Sequence, residues 1–302
     1  MQSPFKNIKS YNKPKNDNIA VCSVFFNAGN FTKTIMNNLY VSNLLKKSEI
    51  PHYMIELIYP NQKPTFIESE FVFHVKSNSY MFHKENLFNI LVSKLPQHIT
   101  KIVCLDGDVI FENEDWINDV HTELENYDVV VPYHDGCNLD PYFDKILFHA
   151  KTLLDVRYDT DEGPFCSGYA IAFKRSFFET IGMYEYAIFG GGDKMNLVNY
   201  IRRPIMINSF NSTKKDEYIE KLKSLNLTYS YLGGIVYHLY HGNALDRKYL
   251  DRHVLLQGLQ LDSEIKKNND GVLEFVNPQK YNKIMYDYFI GRNEDYIDPN
   301  LL

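Results

Sequence analysis

The sequence lacks any long apolar run, and this absence argues against a membrane-spanning helix. No stretch of about 18 consecutive apolar residues, the length that a membrane-spanning helix needs, occurs in the 302 residues. The N-terminus is polar and has no hydrophobic segment typical of a signal peptide. We therefore expect a cytoplasmic protein with no membrane span and no N-terminal anchor.

The sequence also contains few cysteines and has no excess of positive charge. The four cysteines, Cys22, Cys104, Cys137 and Cys166, are widely spaced, and no CxxC or CxxH pair predicts a structural zinc site. Cys22 and Cys104 lie within apolar runs, so we predict buried free thiols in a reducing compartment. The formal net charge is -6, which does not favour nucleic acid as a partner, because duplex binding usually needs a basic face.

Apolar residues are plentiful. Hydrophobic residues make up 44% and charged residues 23% of the chain, which is typical of a globular protein with a sizeable core. A chain of this length predicts one large α/β domain with an extension. We place an N-terminal tail at 1–18, the main domain at 19–254, and a helical C-terminal extension at 255–302 packed on the same domain.

The N-terminal region alternates between strand and helix patterns. Ile19–Phe26 is a near-continuous apolar run, which predicts a strand covered on both faces. A turn at 27–30 and a predicted helix at 31–47 follow. Strand, tight loop and helix in this order begin a nucleotide-binding α/β unit, although the GxGxxG dinucleotide fingerprint is missing. Phe25 and Asn27 are therefore candidates to lie near the base and ribose of a nucleotide.

The rest of the chain continues this alternation. Further strands are predicted at 53–59, 71–75, 101–105, 127–132, 165–173, 205–207 and 235–239, and helices at 83–95, 115–124, 175–181 and 194–201. Residues 133–163 are polar and predict a substrate-facing loop with a helix at 143–154. His134 and Asp135, which follow a predicted strand, are candidates for the acceptor side of a site.

The sharpest motif is Asp106-Gly107-Asp108, which lies between the apolar runs KIVCL and VIF. In an extended segment the two carboxylates would point the same way, and Gly107 would let a ligand approach the backbone. Two carboxylates at the end of a strand suit Mg²⁺ or Mn²⁺, and such an ion could neutralise a diphosphate. The competing interpretation is a plain turn, but apolar runs on both sides argue against a surface turn.

A glycine-rich turn, FGGGDKM, precedes a predicted helix. Asp193 near the start of this helix could be an N-cap or a general base that deprotonates an acceptor hydroxyl. Three consecutive glycines cost conformational order that a simple cap does not need. Both interpretations stay open, and Gly191 and Gly192 are candidates to contact an acceptor.

The late segment YHLYHG brings two histidines near the end of a predicted strand. His241 is a candidate third ligand of a divalent metal, with a hydrogen-bonded structural histidine as the alternative for it and for His238. Arg247 and Arg252 follow and are suited to bidentate phosphate contacts. Ordinary surface charge is the alternative for both arginines.

Together these motifs resemble the GT-A glycosyltransferases. The order matches: a first strand and loop, a helix with KENLFN, a DxD motif after a core strand, a glycine-rich stretch with an acid, and a late histidine. The segment FCSGYAIAFKRSFFETIGMYEYAIFGGGDKM is similar in layout to the acceptor region of β-1,4-galactosyltransferase-like enzymes. The stretch HGNALDRKYLDRHVLL, with YFIGRNED near the C-terminal end, resembles a pattern in uncharacterised bacterial and viral glycosyltransferase-like proteins. The resemblance covers roughly residues 19–295.

The resemblance implies a GT-A catalytic domain at 19–254, an α/β fold with a mixed, mainly parallel central sheet flanked by helices. It implies metal-dependent transfer of a sugar from a nucleotide-sugar, with a UDP-sugar favoured, to a hydroxyl acceptor, glycan or other, with inversion. Asp106, Asp108 and His241 would hold Mn²⁺ or Mg²⁺ on the donor diphosphate, and Arg247 and Arg252 would assist with its phosphate charge. Asp193 would be the catalytic base. One departure is Lys194, since the galactosyltransferases continue an acidic run there.

Two other functions fit the same DxD motif. A sugar nucleotidyltransferase also places acids at a strand end, but it needs a basic glycine-rich loop near the N-terminus, and NAGN at 27–30 is a poor version of one. A non-catalytic carbohydrate-binding protein could have kept the fold. Turnover of a nucleotide-sugar would separate the first function from both alternatives.

Overall fold

The computed structural model describes residues 8–155, 165–202, 212–249 and 251–301. The strands in these residues are, in chain order, β1 (Ile19–Phe26), β2 (His52–Ile58), β3 (Val72–Lys76), β4 (Lys101–Leu105), β5 (Val109–Phe111), β6 (Val129–Val131), β7 (Asp135–Leu139), β8 (Ile146–Thr152), β9 (Phe165–Cys166), β10 (Ala170–Lys174), β11 (Tyr229–Tyr231), β12 (Ile235–His238), β13 (Ile265–Lys267) and β14 (Leu273–Phe275). The helices are α1 (Thr32–Lys47), α2 (Lys84–Ser93), α3 (Trp116–Glu123), α4 (Arg175–Ile181), α5 (Gly192–Tyr200), α6 (Thr213–Lys223), α7 (Leu261–Glu264) and α8 (Pro278–Gly291). The strand predicted at 205–207 lies outside the described residues.

A central sheet of seven strands has the order β11-β6-β10-β4-β1-β2-β3. Its neighbours pair in parallel, except that β10 is antiparallel to both β4 and β6. Helices α1, α2 and α4 pack against it. The predicted architecture is therefore confirmed: an α/β domain with a mixed, mainly parallel central sheet flanked by helices.

The strand β1 shows why the first apolar run forms the middle of this sheet. It lies between β2 and β4, and helices cover the sheet. Because both faces of the strand are covered, its residues are nearly all apolar and do not alternate between apolar and polar. Cys22 lies opposite Cys104 in the β1–β4 register. All four cysteines are buried and free, as predicted for these two.

A second sheet of five strands has the order β5-β12-β7-β8-β9. Between β4 and β12 the chain passes from one sheet to the other five times, and two of these crossings concern the motif. The Asp106-Gly107-Asp108 motif joins β4 to β5, and residues 167–169 join β9 to β10. The Asp106 amide donates to the Tyr169 carbonyl, and the Leu239 amide donates to the Asp108 carbonyl. The two aspartates are thus anchored on different sheets. The single strand predicted at 165–173 is two strands, because Tyr169 has a φ of 74°.

Three expectations about secondary structure need correction. The helix predicted at 143–154 is wrong, because this segment forms β8 and pairs with β7; pairing with a neighbouring strand decides the outcome for such apolar runs. The C-terminal extension is not purely helical, since β13 and β14 form a hairpin before α8. Residues 8–18 are not a free tail, because Ile8 and Tyr11 are buried in the core and the Tyr11 hydroxyl accepts a bond from the Phe111 amide.

The start of α1 is completed by a residue far away in sequence. Phe31 at the N-cap position offers no side-chain hydrogen bond. Instead the Asp295 carboxylate accepts bonds of 2.9 and 2.6 Å from the amides of Thr32 and Lys33.

Position 254 is the predicted end of the main domain, and buried residues before and after it belong to one hydrophobic cluster. No helix in the described part of the chain has the length and apolarity needed to cross a bilayer.

Candidate active site

A cavity of about 630 Å³ lies at the carboxyl ends of β1 and β4, within the size range of small-molecule sites. Its walls come from the β1–α1 loop, the crossing at 106–108, the starts of α2 and α5, and the segments after β12 and α8. Ligands of α/β proteins bind outside the carboxyl ends of the strands. The cavity therefore has the position expected of an active site.

Asp108, His238 and His241 form a cluster with metal-ligand spacing on one wall. The Asp108 Oδ2 atom lies 3.0 Å from His241 Nε2 and 3.6 Å from His238 Nε2, and the two Nε2 atoms are 3.2 Å apart. Ligands bound to one ion at about 2.1 Å are about 3 Å from each other. Asp108 Oδ1 is buried without a hydrogen-bond partner. The residues present therefore fit a divalent metal.

The protonation states of Asp108 and His238 also suit a metal. Burial raises the pKa of Asp108, but His238, His241 and Arg247 outweigh it and hold that pKa below its usual range. Burial lowers the pKa of His238 to about 3. A charged carboxylate and a neutral imidazole are the forms that bind metal ions.

Further polar groups hold His241 in place. Its Nδ1 atom lies 3.5 Å from Glu294 Oε2, and Glu294 in turn accepts bonds from Thr34 Oγ1 at 2.7 Å and Arg292 Nε at 2.6 Å. Arg247 Nη2 lies 2.9 Å from His241 Nε2. A carboxylate behind a metal-binding histidine orients the ring and raises its basicity.

Asp106 faces a different group from Asp108. Lys84 Nζ lies 2.6 Å from Asp106 Oδ1 and 2.8 Å from Asp193 Oδ1, so one ammonium joins the two acids. Burial raises the pKa of Asp106 to about 6, against the opposing effect of Lys84. The expectation that both carboxylates of the motif point the same way is wrong, because residues 107 and 108 form a turn. The motif is thus both a turn and a cavity wall.

The three glycines before Asp193 each have a structural reason. Gly190 and Gly191 have φ of 80° and 84°, a region that favours glycine. A Cβ atom on Gly192 would lie 2.0 Å from Glu85 Oε1. The N-cap of α5 is Gly191, and Asp193 in the first turn pairs with Lys84 instead. The N-cap interpretation of Asp193 is therefore wrong, and its carboxylate faces the cavity.

Arg252 is buried, with 6% of its surface exposed. Its guanidinium lies 5.2 Å from the centroid of the Phe82 ring and 4.9 Å from that of Tyr249. Arg247 Nη1 donates to the Tyr249 hydroxyl at 2.9 Å, and Arg292 lies 5.2 Å from the Phe82 centroid. Three arginines thus line one cavity, and none of them is the ordinary surface charge that was the alternative for Arg247 and Arg252.

Phe25 and Asn27 lie at the end of β1 and line the cavity. The Asn27 side chain donates to the Phe31 carbonyl and accepts from the Phe31 amide, both at 2.9 Å. It therefore braces its own loop. Phe25 packs edge-on against Phe66 at 5.0 Å and gives the cavity an apolar wall.

His134 and Asp135 are not among the cavity-lining residues of the described chain. They form a separate cluster in which His134 contacts Asp135 at 2.5 Å and Asp155 at 3.1 Å. The register explains the separation, because Asp135 pairs opposite Ile235, three positions before His238.

Sequence reasoning did not single out four residues that the structure brings to the site, namely Lys84, Glu85, Arg292 and Glu294. Lys84 and Glu85 belong to KENLFN, and Arg292 and Glu294 to the RNED stretch near residue 295. These motifs carried the family resemblance, so that resemblance was the available signal. His238, considered only as a neighbour of His241, is a full member of the cluster.

Comparisons with known proteins identify similar folds at low sequence identity. No protein-family model matches the sequence, and no curated protein matches it. The catalytic domain of Drosophila β-1,4-galactosyltransferase 7 with xylobiose is 10% identical, with a TM-score of 0.38, and the match covers 88% of this chain and 98% of that chain. A mutant of the same enzyme with manganese, UDP-Gal and xylobiose is 11% identical, with a TM-score of 0.39 and the same coverage.

A putative glucose-1-phosphate thymidylyltransferase from Bacillus anthracis, in complex with sucrose, is also similar in fold. It is 13% identical, with a TM-score of 0.38, over 72% of this chain and 88% of that chain. The chemistry proposed for this chain rests on the side chains of its cavity.

Proposed function

We propose that this chain is a metal-dependent glycosyltransferase that moves a sugar from a nucleotide-sugar, preferably a UDP-sugar, to a hydroxyl acceptor. The observation that carries the proposal is the Asp108–His238–His241 cluster, which shares one cavity with Arg247 and Asp193. The cluster suits a cation, Arg247 suits a phosphate, and Asp193 suits a hydroxyl proton. A metal–diphosphate donor and a hydroxyl acceptor together require these three properties.

The donor set favours Mn²⁺ over Mg²⁺. Two of the three ligand atoms are imidazole nitrogens, whereas Mg²⁺ prefers oxygen ligands and retains its water. When bound, the ion supplies charge neutralisation for the departing diphosphate. Asp106 was predicted as a further ligand, but its Oδ1 atom faces Lys84. We therefore assign Asp106 to the positioning of Lys84 and of the donor beside it.

The β1–α1 loop is the proposed binding site of the nucleoside. Phe25 offers an apolar wall, and the braced Asn27 loop offers backbone groups at the end of the strand. Arg247 lies next to His241, so it can contact a diphosphate that reaches the metal cluster. The donor would then extend from the β1 end toward the cluster.

Asp193 is the proposed catalytic base. The acceptor oxygen forms a bond to the anomeric carbon, and the bond from that carbon to the diphosphate oxygen breaks. The bonding pair leaves with the nucleoside diphosphate, and Asp193 accepts the hydroxyl proton. Attack from the face opposite the leaving group inverts the anomeric configuration. Lys84, 2.8 Å from Asp193, holds the carboxylate toward the cavity.

A thermal-shift panel tests this function. UDP-, GDP- and dTDP-sugars are added with and without Mn²⁺, and a true donor raises the unfolding midpoint by mass action only when Mn²⁺ is present. Release of nucleoside diphosphate from the best donor is then measured for the wild type and Asp108→Asn. Asp287→Asn is the matched control, since Asp287 is exposed and, among the described residues, forms an ion pair only with Lys283 on α8.

The same panel separates the alternatives. A nucleoside triphosphate and a sugar 1-phosphate replace the nucleotide-sugar in one arm, and pyrophosphate release there would identify a nucleotidyltransferase. Binding of nucleotide-sugar without any turnover would identify a binding protein. If no nucleotide raises the midpoint in the presence of Mn²⁺, the transferase proposal is wrong.

A further inference from the structure

Arg252 is a buried cation that has no anionic partner among the described residues. Only 6% of its surface is exposed, its Nε atom lacks a hydrogen-bond partner, and its neighbours are the rings of Phe82 and Tyr249. Burial of an unpaired charge is costly. Its position on the cavity wall therefore indicates that a ligand supplies the missing negative charge.

The other arginines of the cavity have polar partners of their own. Arg247 contacts His241 and the Tyr249 hydroxyl, and Arg292 pairs with Glu294. The Tyr249 side chain stands between two cations, with its hydroxyl on Arg247 and its ring beside Arg252. Arg247 thus belongs to the metal cluster, whereas Arg252 does not.

Arg252 instead lies against the turn that leads to Asp193. A Cβ atom on Gly190 would lie 2.9 Å from Arg252 Nη1, and one on Gly191 would lie 3.6 Å from Arg252 Nη2. The nine-residue helix α5 begins directly after this turn. Its first amides add partial positive charge at the same place. The unpaired guanidinium and the proposed base are therefore neighbours on one wall.

We propose that Arg252 binds an oxyanion of the acceptor, so that the acceptor is a hydroxyl compound carrying a phosphate or carboxylate. The inference rests on the proposed function, because that function makes the Asp193 wall the acceptor side. The sequence pattern placed Arg252 with Arg247 on the donor phosphates. Its contacts with Gly190 and Gly191 assign it to the acceptor instead.

Methyl phosphate is the probe for this anion site. The protein is saturated with Mn²⁺ and UDP, which fill the donor side, and is then titrated with methyl phosphate by calorimetry. Wild-type protein should still bind the probe. Arg252→Gln should weaken that binding at least about tenfold, the loss expected for charge-assisted hydrogen bonds, while UDP affinity changes less than about threefold.

Two further variants keep the test independent of folding. Arg252→Lys retains the charge but not the planar, two-pronged geometry, so its loss of probe affinity should be smaller than that of Arg252→Gln. Arg202→Gln removes an exposed arginine that contacts the Leu225 carbonyl and should leave probe binding unchanged. If Arg252→Gln gives no cooperative unfolding transition, the Arg252→Lys comparison decides.

The outcomes separate this inference from the proposed function. Loss of UDP affinity equal to the loss of probe affinity in Arg252→Gln would place Arg252 on the donor and overturn the inference alone. Failure of the wild type to bind methyl phosphate would overturn it too. If UDP itself does not bind, the proposed function fails, while probe binding that requires Arg252 would still support an oxyanion site.

A competition series identifies the source of the oxyanion. Glucose 6-phosphate, glucuronate and glucose are compared as competitors of methyl phosphate on the Mn²⁺- and UDP-saturated protein. Stronger competition by glucose 6-phosphate indicates a phosphate, and stronger competition by glucuronate indicates a carboxylate. Competition by glucose equal to that of both anions would contradict a role for Arg252 in binding charge.

Discussion

The Glu85 carboxylate occupies the space that a side chain at Gly192 would need. A Cβ atom on Gly192 would lie 2.0 Å from Glu85 Oε1, and Glu85 is itself buried. Burial raises the pKa of Glu85 to about 8, and Asp193 adds to this rise. The start of α5 is therefore seated directly on a buried acid, and this contact fixes the position of Asp193.

Gly192→Ala should destabilise the fold by about 1–3 kcal/mol, because overpacking displaces buried groups. Urea unfolding measures the change. The matched control is Gly233→Ala, since no atom lies within 4 Å of a Cβ at that position and stability should change little. Adding Glu85→Ala should remove most of the Gly192→Ala cost, which a double-mutant cycle quantifies. Equal costs with and without Glu85 would disprove the contact.

Metal affinity should distinguish the two acids of the Asp106-Gly107-Asp108 motif. Asp108→Asn, His238→Gln and His241→Gln each remove a clustered atom, and we expect Mn²⁺ affinity to fall at least about a hundredfold, beyond the 10–100-fold effect of outer-shell changes. Asp106→Asn should change it by less than about threefold. Calorimetric titration with Mn²⁺ measures all four. A large loss in Asp106→Asn would return Asp106 to the ligand set.

Lys84→Gln should lower stability increasingly as the pH rises. The variant leaves Asp106 and Asp193 without their shared ammonium. Burial raises the pKa of Asp106 to about 6 even with Lys84 present, so the unpaired carboxylate ionises above about that pH and the deficit grows there. We expect a loss of about 2 kcal/mol at pH 8, below the value for fully buried pairs because these side chains are partly exposed.

Urea unfolding at pH 5 and pH 8 measures this dependence on Lys84. Lys221→Gln, on the exposed face of α6, is the control for removal of one lysine. A stability deficit that is the same at both pH values would show that Lys84 acts through packing and not through its charge.

His83 should make the fold sensitive to mild acid. Burial lowers the pKa of His83 from 6.5 to about 4. Between these pH values the unfolded chain binds more protons at this residue than the folded chain, so its contribution is complete above pH 6.5 and is lost as the pH falls toward 4. The loss approaches about 3 kcal/mol.

Unfolding experiments from pH 4 to pH 7 test the role of His83. The stability of His83→Gln should depend less steeply on pH than that of the wild type. His98→Gln removes an exposed histidine and should keep the wild-type slope. Identical slopes for wild type and His83→Gln would rule out this contribution.

Apolar runs and helical periodicity in the sequence predicted most of the main strands and helices, because these patterns reflect which residues are buried. The apolar runs of β1 and β4 and the periodicity of α1 and α2 are set by their own residues, so most strands of the central sheet and the position of Asp108 followed from the sequence. The edge strand β11 was not predicted. The segment at 143–154 did not, because its apolar residues suit helix or strand and the pairing with β7 decides.

The site itself depends on contacts between distant residues. Lys84 joins Asp106 and Asp193, and Glu294 supports His241. No local pattern encodes such pairings, since each residue alone looks like surface charge. The sequence could therefore indicate which residues carry chemistry, but not that the aspartates of one motif serve two separate groups.

The Asp295 carboxylate that caps α1 has a consequence for folding during synthesis. The helix α1 follows the first strand, yet the amides of Thr32 and Lys33 receive their acceptor only after residue 295 has left the ribosome. Exposed helix-start amides cost stability until they find a partner. The β1–α1 region is therefore completed late in synthesis, and a nascent chain that has not reached residue 295 carries the motif residues without a finished cavity.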